Sequence, residues 1–405
     1  MYDYSIIGGG IIGLSTAMAL TKRFPAAKII VVEKENGWAH HQTGHNSGVV
    51  HSGIYYKPGS LKAKFAKEGN AAIAAFCKEH GIAYERCGKV IVATEERELP
   101  HLDELLKRGI RNGLEVERID GQRLKEIEPH VNGIAAIRVP SCGITDYKEI
   151  ANTFARLIEK AGGTLQLGIT VESISETDSE VVLETNKGTI RSKYMINCAG
   201  LQSDRMTKVA GIQTDVKIVP FRGEYYELVP EKRHLVNHLI YPVPNPDFPF
   251  LGVHFTRMAN GEVHAGPNAV LAFKREGYTK KDFNVKDMME VLRFRGFWKM
   301  AVPNMKEGMK EYIRSYSKQA FLKSLQRLIP ELTLDDIKAT HAGVRAQAIL
   351  DDGNMVDDFL IVPGKRSLHI CNAPSPAATA SISIGQEIAD RAESMFDYHP
   401  PILHV

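Results

Sequence analysis

The chain has 405 residues, of which 43% are hydrophobic and 24% charged, and its formal net charge is +3 at pH 7. This composition is typical of a globular protein, and at ~150 residues per domain the length predicts two or three domains. The small net charge and the absence of dense Lys/Arg blocks argue against nucleic-acid binding. No apolar run reaches the ~18 residues that a membrane-spanning helix needs, so we expect a soluble protein.

Cysteine usage is typical of the reducing interior of a cell. The chain has five cysteines, all far apart, with neither a CxxC pair nor a histidine cluster at metal-ligand spacing. Such an odd, sparse set predicts free thiols and no bound metal. The first apolar segment begins at Tyr4, which leaves no room for a targeting peptide. We therefore expect a cytoplasmic protein.

The start of the chain predicts a strand–helix–strand unit. An apolar strand, Asp3–Ile7, leads into Gly8-Gly9-Gly10, and apolar residues at helical spacing continue to Phe24. A second strand, Lys28–Val32, is rich in β-branched residues and ends at Glu33. Glycines in this position, with an acidic residue at the end of the next strand, are typical of dinucleotide-binding domains.

Each glycine of this unit has a physical task in binding a dinucleotide. Gly8 permits a tight turn, Gly10 lets the backbone approach a pyrophosphate, and Gly13 lets the helix and strand pack closely. The helix N-terminus offers unpaired N–H groups to the phosphates. Glu33 can accept hydrogen bonds from both ribose hydroxyls.

Two further segments favour FAD over a nicotinamide dinucleotide. A polar loop at residues 42–48 is suited to wrapping a larger cofactor, with the side chains of Thr43, Asn46 and Ser47. Near the C-terminus, Ser375 and Pro376 predict the N-cap and the first position of a helix. The N-terminus of that helix would stabilise the negative charge that a flavin gains on reduction.

The rest of the chain predicts a second, strand-rich domain. Strands with turn signals prevail after Tyr84, including a hairpin around Asn260-Gly261, and Phe283–Leu328 is helical. The predicted fold is α/β (α+β overall), an FAD-binding Rossmann-like domain interrupted by a substrate domain on a mostly antiparallel sheet. The FAD-binding domain comprises residues 1–83, 141–215 and 340–405, and the substrate or capping domain comprises residues 84–140 and 216–339.

Several segments together resemble one family. The motifs that carry the resemblance are Ile6–Gly13, Asn46–Tyr56, Asn197–Gly200, Val219–Tyr226, Tyr241–Pro244, Phe248–Arg257, Gly343–Arg345 and Ala373–Thr379. They are similar to the D-amino-acid oxidase-like FAD-dependent oxidoreductases and, within these, to the L-2-hydroxyglutarate oxidase/dehydrogenase family. The resemblance implies oxidation of L-2-hydroxyglutarate to 2-oxoglutarate, with hydride transfer from C2 to flavin N5. It also assigns further residues to FAD binding, namely His51, Val171, Ala199, Gly200, Pro376, Ala377, Ala378 and Thr379.

This reaction needs a carboxylate clamp and a base. The resemblance assigns the C1 carboxylate to Arg345, whose guanidinium can bind it bidentately, supported by Tyr241. The base is His51 or His254, with His264 a weaker candidate; His51 could instead simply pack against the flavin. Further substrate-binding candidates, including those for the distal carboxylate, are Tyr55, Arg222, Tyr225, Arg257 and Asn268. Tyr55 stands where flavin-dependent glycerol-3-phosphate dehydrogenases have a phosphate-binding arginine. This difference argues against a phosphate substrate.

Two alternatives remain open on the sequence. An FAD-dependent oxidase of an amino acid or N-methyl amine, such as glycine or sarcosine, shares the hydride step and the clamp. A flavin-binding subunit without turnover is the other.

The electron acceptor is oxygen or a membrane quinone. The basic amphipathic stretch Asp287–Val302 could lie on the inner face of the cell membrane, or could be an ordinary domain helix with snorkelling cations.

Overall fold

The computed structural model describes residues 1–244 and 251–396. Its strands are β1 Tyr2–Ile7, β2 Ile29–Glu33, β3 Val49–Val50, β4 Tyr84–Glu85, β5 Lys89–Ala93, β6 Glu117–Asp120, β7 Ala135–Val139, β8 Gly143–Thr145, β9 Thr164–Leu167, β10 Val171–Glu176, β11 Val181–Thr185, β12 Gly188–Asn197, β13 Val216–Leu228, β14 Leu239–Pro242, β15 His254–Arg257, β16 Val263–Gly266, β17 Val270–Leu271, β18 Ile337–Leu350, β19 Leu360–Pro363 and β20 Ser367–Asn372. Its α-helices are α1 Ile11–Arg23, α2 Leu61–His80, α3 Leu99–Arg111, α4 Gly121–Ile127, α5 Tyr147–Lys160, α6 Ser203–Val209, α7 Val285–Leu292, α8 Arg295–Ala301, α9 Met305–Tyr316, α10 Lys318–Gln326 and α11 Ser381–Phe396. The motif Phe248–Arg257 is described only from Leu251 onwards.

The first sheet has a parallel centre. Strands β9, β2, β1, β12 and β20 run parallel in that order, while β10, β11 and β19 are antiparallel additions. Helices α1, α5 and α11 pack on this sheet through a shared core that includes Leu14, Phe154 and Ile388. In such a sheet ligands bind beyond the carboxyl ends of the strands, which places Gly8 and Glu33 at the binding edge.

The second sheet is mostly antiparallel. Its order is β17-β13-β16-β15-β14-β5-β7-β6, with β18 paired to β13, and only β14 and β5 run parallel. The predicted hairpin around Asn260-Gly261 is confirmed, since β15 and β16 pair antiparallel across it. The fold class predicted from the sequence is therefore confirmed. A small third sheet, β3-β8-β4, lies beside the start of the 51–56 loop.

The structure corrects three predictions about where domains and elements begin and end. The domain boundary at residue 340 falls inside β18, which pairs with β13 over Ile337–Leu350 and so belongs to the second sheet. The segment Leu165–Ser173, which the sequence predicts to be one strand, is divided between two strands, β9 and β10, because the chain turns at Gly168 with φ +67°. The helical region Phe283–Leu328 is divided into four helices, α7 to α10. In the described part of the chain, no helix is both long and apolar enough to cross a membrane.

Candidate active site

A cavity of about 640 Å³ extends between the two large sheets. Its walls come from distant parts of the chain, since Glu33, His51, Tyr241 and Arg345 all line it. The other predicted site residues in its lining are Gly8, Gly10, Thr43, Asn46, Ser47, Val171, Ala199, Gly200, Tyr225, His254, Asn268, Pro376, Ala377, Ala378 and Thr379. The predicted cofactor and substrate residues therefore meet in one continuous space.

The three glycines of the first turn differ in what surrounds them. A Cβ on Gly8, whose φ is +110°, would lie 2.5 Å from the Cys198 carbonyl oxygen, and one on Gly13 would lie 2.0 Å from the Gly8 carbonyl oxygen. These two glycines are therefore required by the protein's own packing. A Cβ on Gly10 would meet only Thr43 Oγ1, at 3.6 Å, so this backbone faces the cavity. The geometry fits the approach of a pyrophosphate to Gly10.

Glu33 binds the backbone of the glycine turn and lines the cavity. Its Oε2 accepts a hydrogen bond from the Gly9 amide at 2.6 Å, and its Oε1 accepts one from the Glu35 amide at 2.9 Å. Each oxygen keeps a further lone pair, so the carboxylate is held in place and can still accept hydroxyl groups.

The segment before the last helix differs from the prediction. We expected a helix from Pro376, but residues 375–380 form turns and α11 begins at Ser381. Short-range bonds explain the difference, since the amide of Ala377 donates to Pro374 O and that of Ser381 to Ala378 O. Within residues 1–244 and 251–396, we find no acceptor for the amides of Ala378 and Thr379. Orphaned amides that line a cavity fit the electron-rich edge of a flavin.

Thr379 connects this segment to the loop that carries His51. Its Oγ1 accepts a hydrogen bond from the His51 amide at 3.1 Å and lies 2.8 Å from the Tyr147 hydroxyl. The same Oγ1 is 3.3 Å from Val49 O. The hydroxyl therefore joins the C-terminal segment, the 51–56 loop and α5 beside the cavity.

At the other end of the cavity Tyr241 stacks on His254. Their ring centroids are 3.9 Å apart with an interplanar angle of 25°. His254 Nδ1 is 2.9 Å from Gly252 O, and since a carbonyl only accepts, this nitrogen carries the hydrogen and Nε2 keeps its lone pair. Burial, together with the charges of Lys89 and Arg345, lowers the pKa of His254 to about 3. The imidazole is therefore neutral, and its Nε2 lone pair can accept a hydrogen bond.

His51 and Arg345 complete this end of the cavity. Burial lowers the pKa of His51 well below its ordinary value, and the positive charges of Lys89 and Arg345 act in the same direction. Burial also lowers the pKa of Arg345, an effect that Tyr225 and Tyr56 oppose. The side chain of Arg345 is accessible from the cavity that it lines, and a guanidinium beside tyrosines in such a place is suited to bind a carboxylate.

Several substrate-binding candidates lie elsewhere or are already engaged. Arg257 forms a bidentate ion pair with Glu85, at 2.7 and 3.2 Å, away from the cavity. Arg222 is buried against Glu224, with Nη2 at 3.1 Å from Oε1. In both cases a glutamate holds the guanidinium, which makes Arg257 and Arg222 less suited to bind a substrate.

The remaining candidates are divided. Tyr55 does not line the cavity, and its hydroxyl has no hydrogen-bond partner among the residues described. Asn268 lines the cavity but uses its side chain to hold Glu224, through Oδ1 to the Glu224 amide at 2.7 Å. His264, also outside the cavity, lies 2.9 Å from a carboxylate oxygen of Glu262. Tyr225 alone of the other candidates faces the cavity without such a side-chain bond, within the ranges that the structure covers.

Sequence reasoning missed residues at both ends of the site. Lys62 lines the cavity and Lys89 lies over the Tyr241 ring. At the Glu33 end, Glu276 lies 3.0 Å from Lys34 Nζ and accepts from Gln202 Nε2 at 2.8 Å. A further unexpected cluster brings donor atoms of three side chains within 4.8 Å of one another, namely Glu35, His40 and His41. The contacts with Glu276 join segments over 70 residues apart, which no local sequence pattern indicates. For Lys89 the sequence offers one signal, a lysine at the start of the apolar strand β5.

Comparison with known proteins assigns the family. Residues 3–391 match the family model described as FAD dependent oxidoreductase (DAO). The chain belongs to this family. FAD is therefore the cofactor of this oxidoreductase, and the open face of Gly10, the held carboxylate of Glu33 and the orphaned amides near Thr379 fit it.

Curated relatives cover almost the whole oxidoreductase. It is 46% identical over 396 residues to the L-2-hydroxyglutarate dehydrogenase of Escherichia coli strain K12, covering 98% of this chain and 94% of the relative. It is 49% identical over 397 residues to that of Indibacter alkaliphilus, with 98% and 100% covered. The human mitochondrial L-2-hydroxyglutarate dehydrogenase is 46% identical over 414 residues, with 98% and 89% covered. The resemblance drawn from the motifs is confirmed.

Solved structures share the fold of this oxidoreductase at low identity. The FAD-bound L-alpha-glycerophosphate oxidase from Mycoplasma pneumoniae has a TM-score of 0.79 at 21% identity, covering 98% of this chain and 95% of that one. Glycine oxidase from Geobacillus kaustophilus has a TM-score of 0.73 at 18% identity, with 97% and 95% covered.

Proposed function

We propose that this protein oxidises L-2-hydroxyglutarate to 2-oxoglutarate. The observation that carries the proposal is the grouping of one guanidinium, that of Arg345, with two neutral imidazoles, those of His51 and His254, in the lining of a single cavity. The names of the relatives, which cover 98% of this chain, agree with this substrate.

The residues of the cavity have separate tasks in this reaction. Arg345 binds the C1 carboxylate and so fixes the position of C2, with Tyr225 beside it. An imidazole of the pair His51 and His254 accepts the hydroxyl proton, because both rings are neutral and His254 keeps a lone pair on Nε2. FAD, when bound, supplies the acceptor for the hydride. The enclosing walls exclude water from the reacting carbon.

Anaerobic reduction of the flavin tests this proposal. We expect L-2-hydroxyglutarate to bleach the flavin absorption at least about tenfold faster than L-lactate, glycine, sarcosine or glycerol 3-phosphate. The D enantiomer should fail, because holding both carboxylates would turn its hydroxyl toward the flavin. Faster bleaching by glycine or sarcosine would establish the amine oxidase alternative instead, and bleaching by none of these acids would favour a subunit without turnover.

We also propose that a membrane quinone takes the electrons, and that a patch on α8 and α9 contacts the lipid. In the stretch expected to face lipid, Val291, Phe294, Phe297 and Met300 are buried. The exposed apolar side chains begin with Trp298 and Val302 inside that stretch and continue beyond it at helical spacing. We call them the apolar patch, namely Trp298, Val302, Met305, Met309, Ile313 and Tyr316. Exposed cations lie among them, including Lys299 and Lys306. Apolar side chains with neighbouring cations suit an anionic membrane surface.

Vesicle binding tests the membrane contact. We expect sedimentation with anionic phospholipid vesicles that weakens with salt, and a large loss of binding in Met309→Glu/Ile313→Glu. Ile110→Glu, at an exposed isoleucine of α3, is the matched control and should bind like the wild type. Equal binding by all three proteins, or none by the wild type, would leave oxygen or a soluble acceptor.

A further inference from the structure

Lys89 is a buried lysine that has no acidic partner among the described residues. Only 1% of its surface is exposed, and among the described residues no other lysine is buried. Its Nζ lies 3.9 Å from the centroid of the Tyr241 ring and 5.3 Å from that of Tyr55. Within the ranges that the structure covers, no carboxylate lies within 4.0 Å of this nitrogen. Aromatic faces replace only part of the hydration that a buried ammonium loses.

The order of the strands shows how Lys89 relates to the active site. Tyr241 lies on β14, which is flanked by β15 with His254 on one side and by β5 with Lys89 on the other. Because Leu239 pairs with Lys89 and Ile240 with Phe255, the side chains of Lys89, Tyr241 and His254 share one face of the sheet. The Tyr241 ring thus lies between the imidazole and the ammonium group.

The other candidate cations are less suited to bind a second negative charge. Arg257 and Arg222 are each paired with a glutamate. Lys62 lines the cavity, but the negative charges of Asp357 and Asp358 act on it. Among these four cations, Lys89 alone has no carboxylate near it in the described part of the chain, and its charge acts on His51 and His254 in the cavity.

We propose that Lys89 is a positioning residue that selects a dicarboxylic substrate: from behind the Tyr241 ring, its positive charge offsets the second carboxylate while Arg345 binds the first. The inference rests on the proposed function, which supplies the dicarboxylate. Two negative charges in an enclosed, low-dielectric cavity need two positive ones. Burial lowers the pKa of Lys89, and a bound dianion would raise it again and so keep the amine protonated.

The test compares two five-carbon substrates that differ in the distal group. We would measure kcat/KM for L-2-hydroxyglutarate and for L-2-hydroxyvalerate, which lacks the second carboxylate, in the wild type, Lys89→Met and Lys89→Arg. Lys89→Met should lower the diacid value about tenfold or more and the monoacid value less than about twofold. Lys89→Arg, which keeps the charge, should retain most of the preference. Lys217→Met is the matched control, because Lys217 Nζ lies 5.2 Å over the Phe294 ring in another part of the protein.

Each outcome separates this inference from the proposed function. A wild type that does not prefer the diacid contradicts the proposed substrate. A wild type that prefers it, with the preference intact in Lys89→Met or lost only in Lys62→Met, overturns the role of Lys89. If Lys89→Met cannot hold FAD, Lys89→Arg decides: a retained preference supports the charge, and a fall to the monoacid rate refutes it.

Discussion

The Thr379 side chain accepts a hydrogen bond from the His51 amide at 3.1 Å, across 328 positions of sequence. This bond ties the loop that carries a candidate base to the segment whose orphaned amides face the cavity. The Thr379 hydroxyl therefore helps to fix the position of the imidazole, together with Asn70, whose Nδ2 donates to His51 O at 3.1 Å.

Thr379→Val should impair turnover more than cofactor binding. The valine leaves the His51 amide without its acceptor, at a cost of about 1–3 kcal/mol for a buried unsatisfied group, whereas the Tyr147 hydroxyl keeps its bond to Val49 O at 3.0 Å. We expect a clear loss of kcat with near-normal flavin content, measured by absorption and steady-state kinetics. Thr379→Ser keeps the oxygen and should restore most of the activity; equal kinetics for both variants would contradict this role.

Gly10→Val should yield a colourless protein. The new side chain would fill the cavity beside Thr43, where the pyrophosphate approaches the backbone. The matched control is Gly308→Val in α9, since a Cβ there meets nothing within 4 Å. Flavin absorption per chain measures the outcome, and a yellow Gly10→Val protein would refute the assignment.

Arg345→Lys should reduce kcat/KM about ten- to a hundredfold. A lysine keeps the charge but cannot reproduce the bidentate fork that binds a planar carboxylate, and losing a charged contact costs about 1.5–3 kcal/mol. Steady-state kinetics with L-2-hydroxyglutarate measure the loss, and flavin absorption confirms that the variant retains its cofactor. Wild-type kinetics in this variant would place the carboxylate clamp elsewhere.

His254 should make the fold less stable in mild acid. Its pKa is lowered to about 3 in the folded protein, against an ordinary value of ~6.5 in the unfolded chain. Between these values the unfolded chain binds more protons, so the stability present above pH ~6.5 is lost as the pH falls, by about 1.4 kcal/mol at one pH unit below. His254→Phe keeps an aromatic ring on Tyr241 and should show a smaller drop in urea midpoint between pH 7.5 and 5.5. Equal drops in both proteins would mean that His254 is not held neutral.

Local patterns sufficed for the parts of this protein whose geometry is local. The spacing of Gly8, Gly10 and Gly13 predicts a tight turn, in which Gly8 and Gly13 leave no room for a Cβ. Helix α2 spans Leu61–His80 because Ser60 and Gly81 cap it. The family motifs also placed Arg345 and His254 correctly in the cavity.

Tertiary structure alone decided which cations are available to the substrate. By sequence alone, Arg257 is a candidate for binding the substrate. In the folded protein it is paired with Glu85, which lies 172 positions away in the chain. The sequence does not mark Lys89 as a site residue, because a lysine at the start of a strand is ordinarily exposed. Its burial follows from the packing of the 51–56 loop and β14 against β5, contacts between segments that are distant in sequence. Whether a cation can act on the substrate depends on the groups around it. Those groups come together only when the two sheets pack around the cavity.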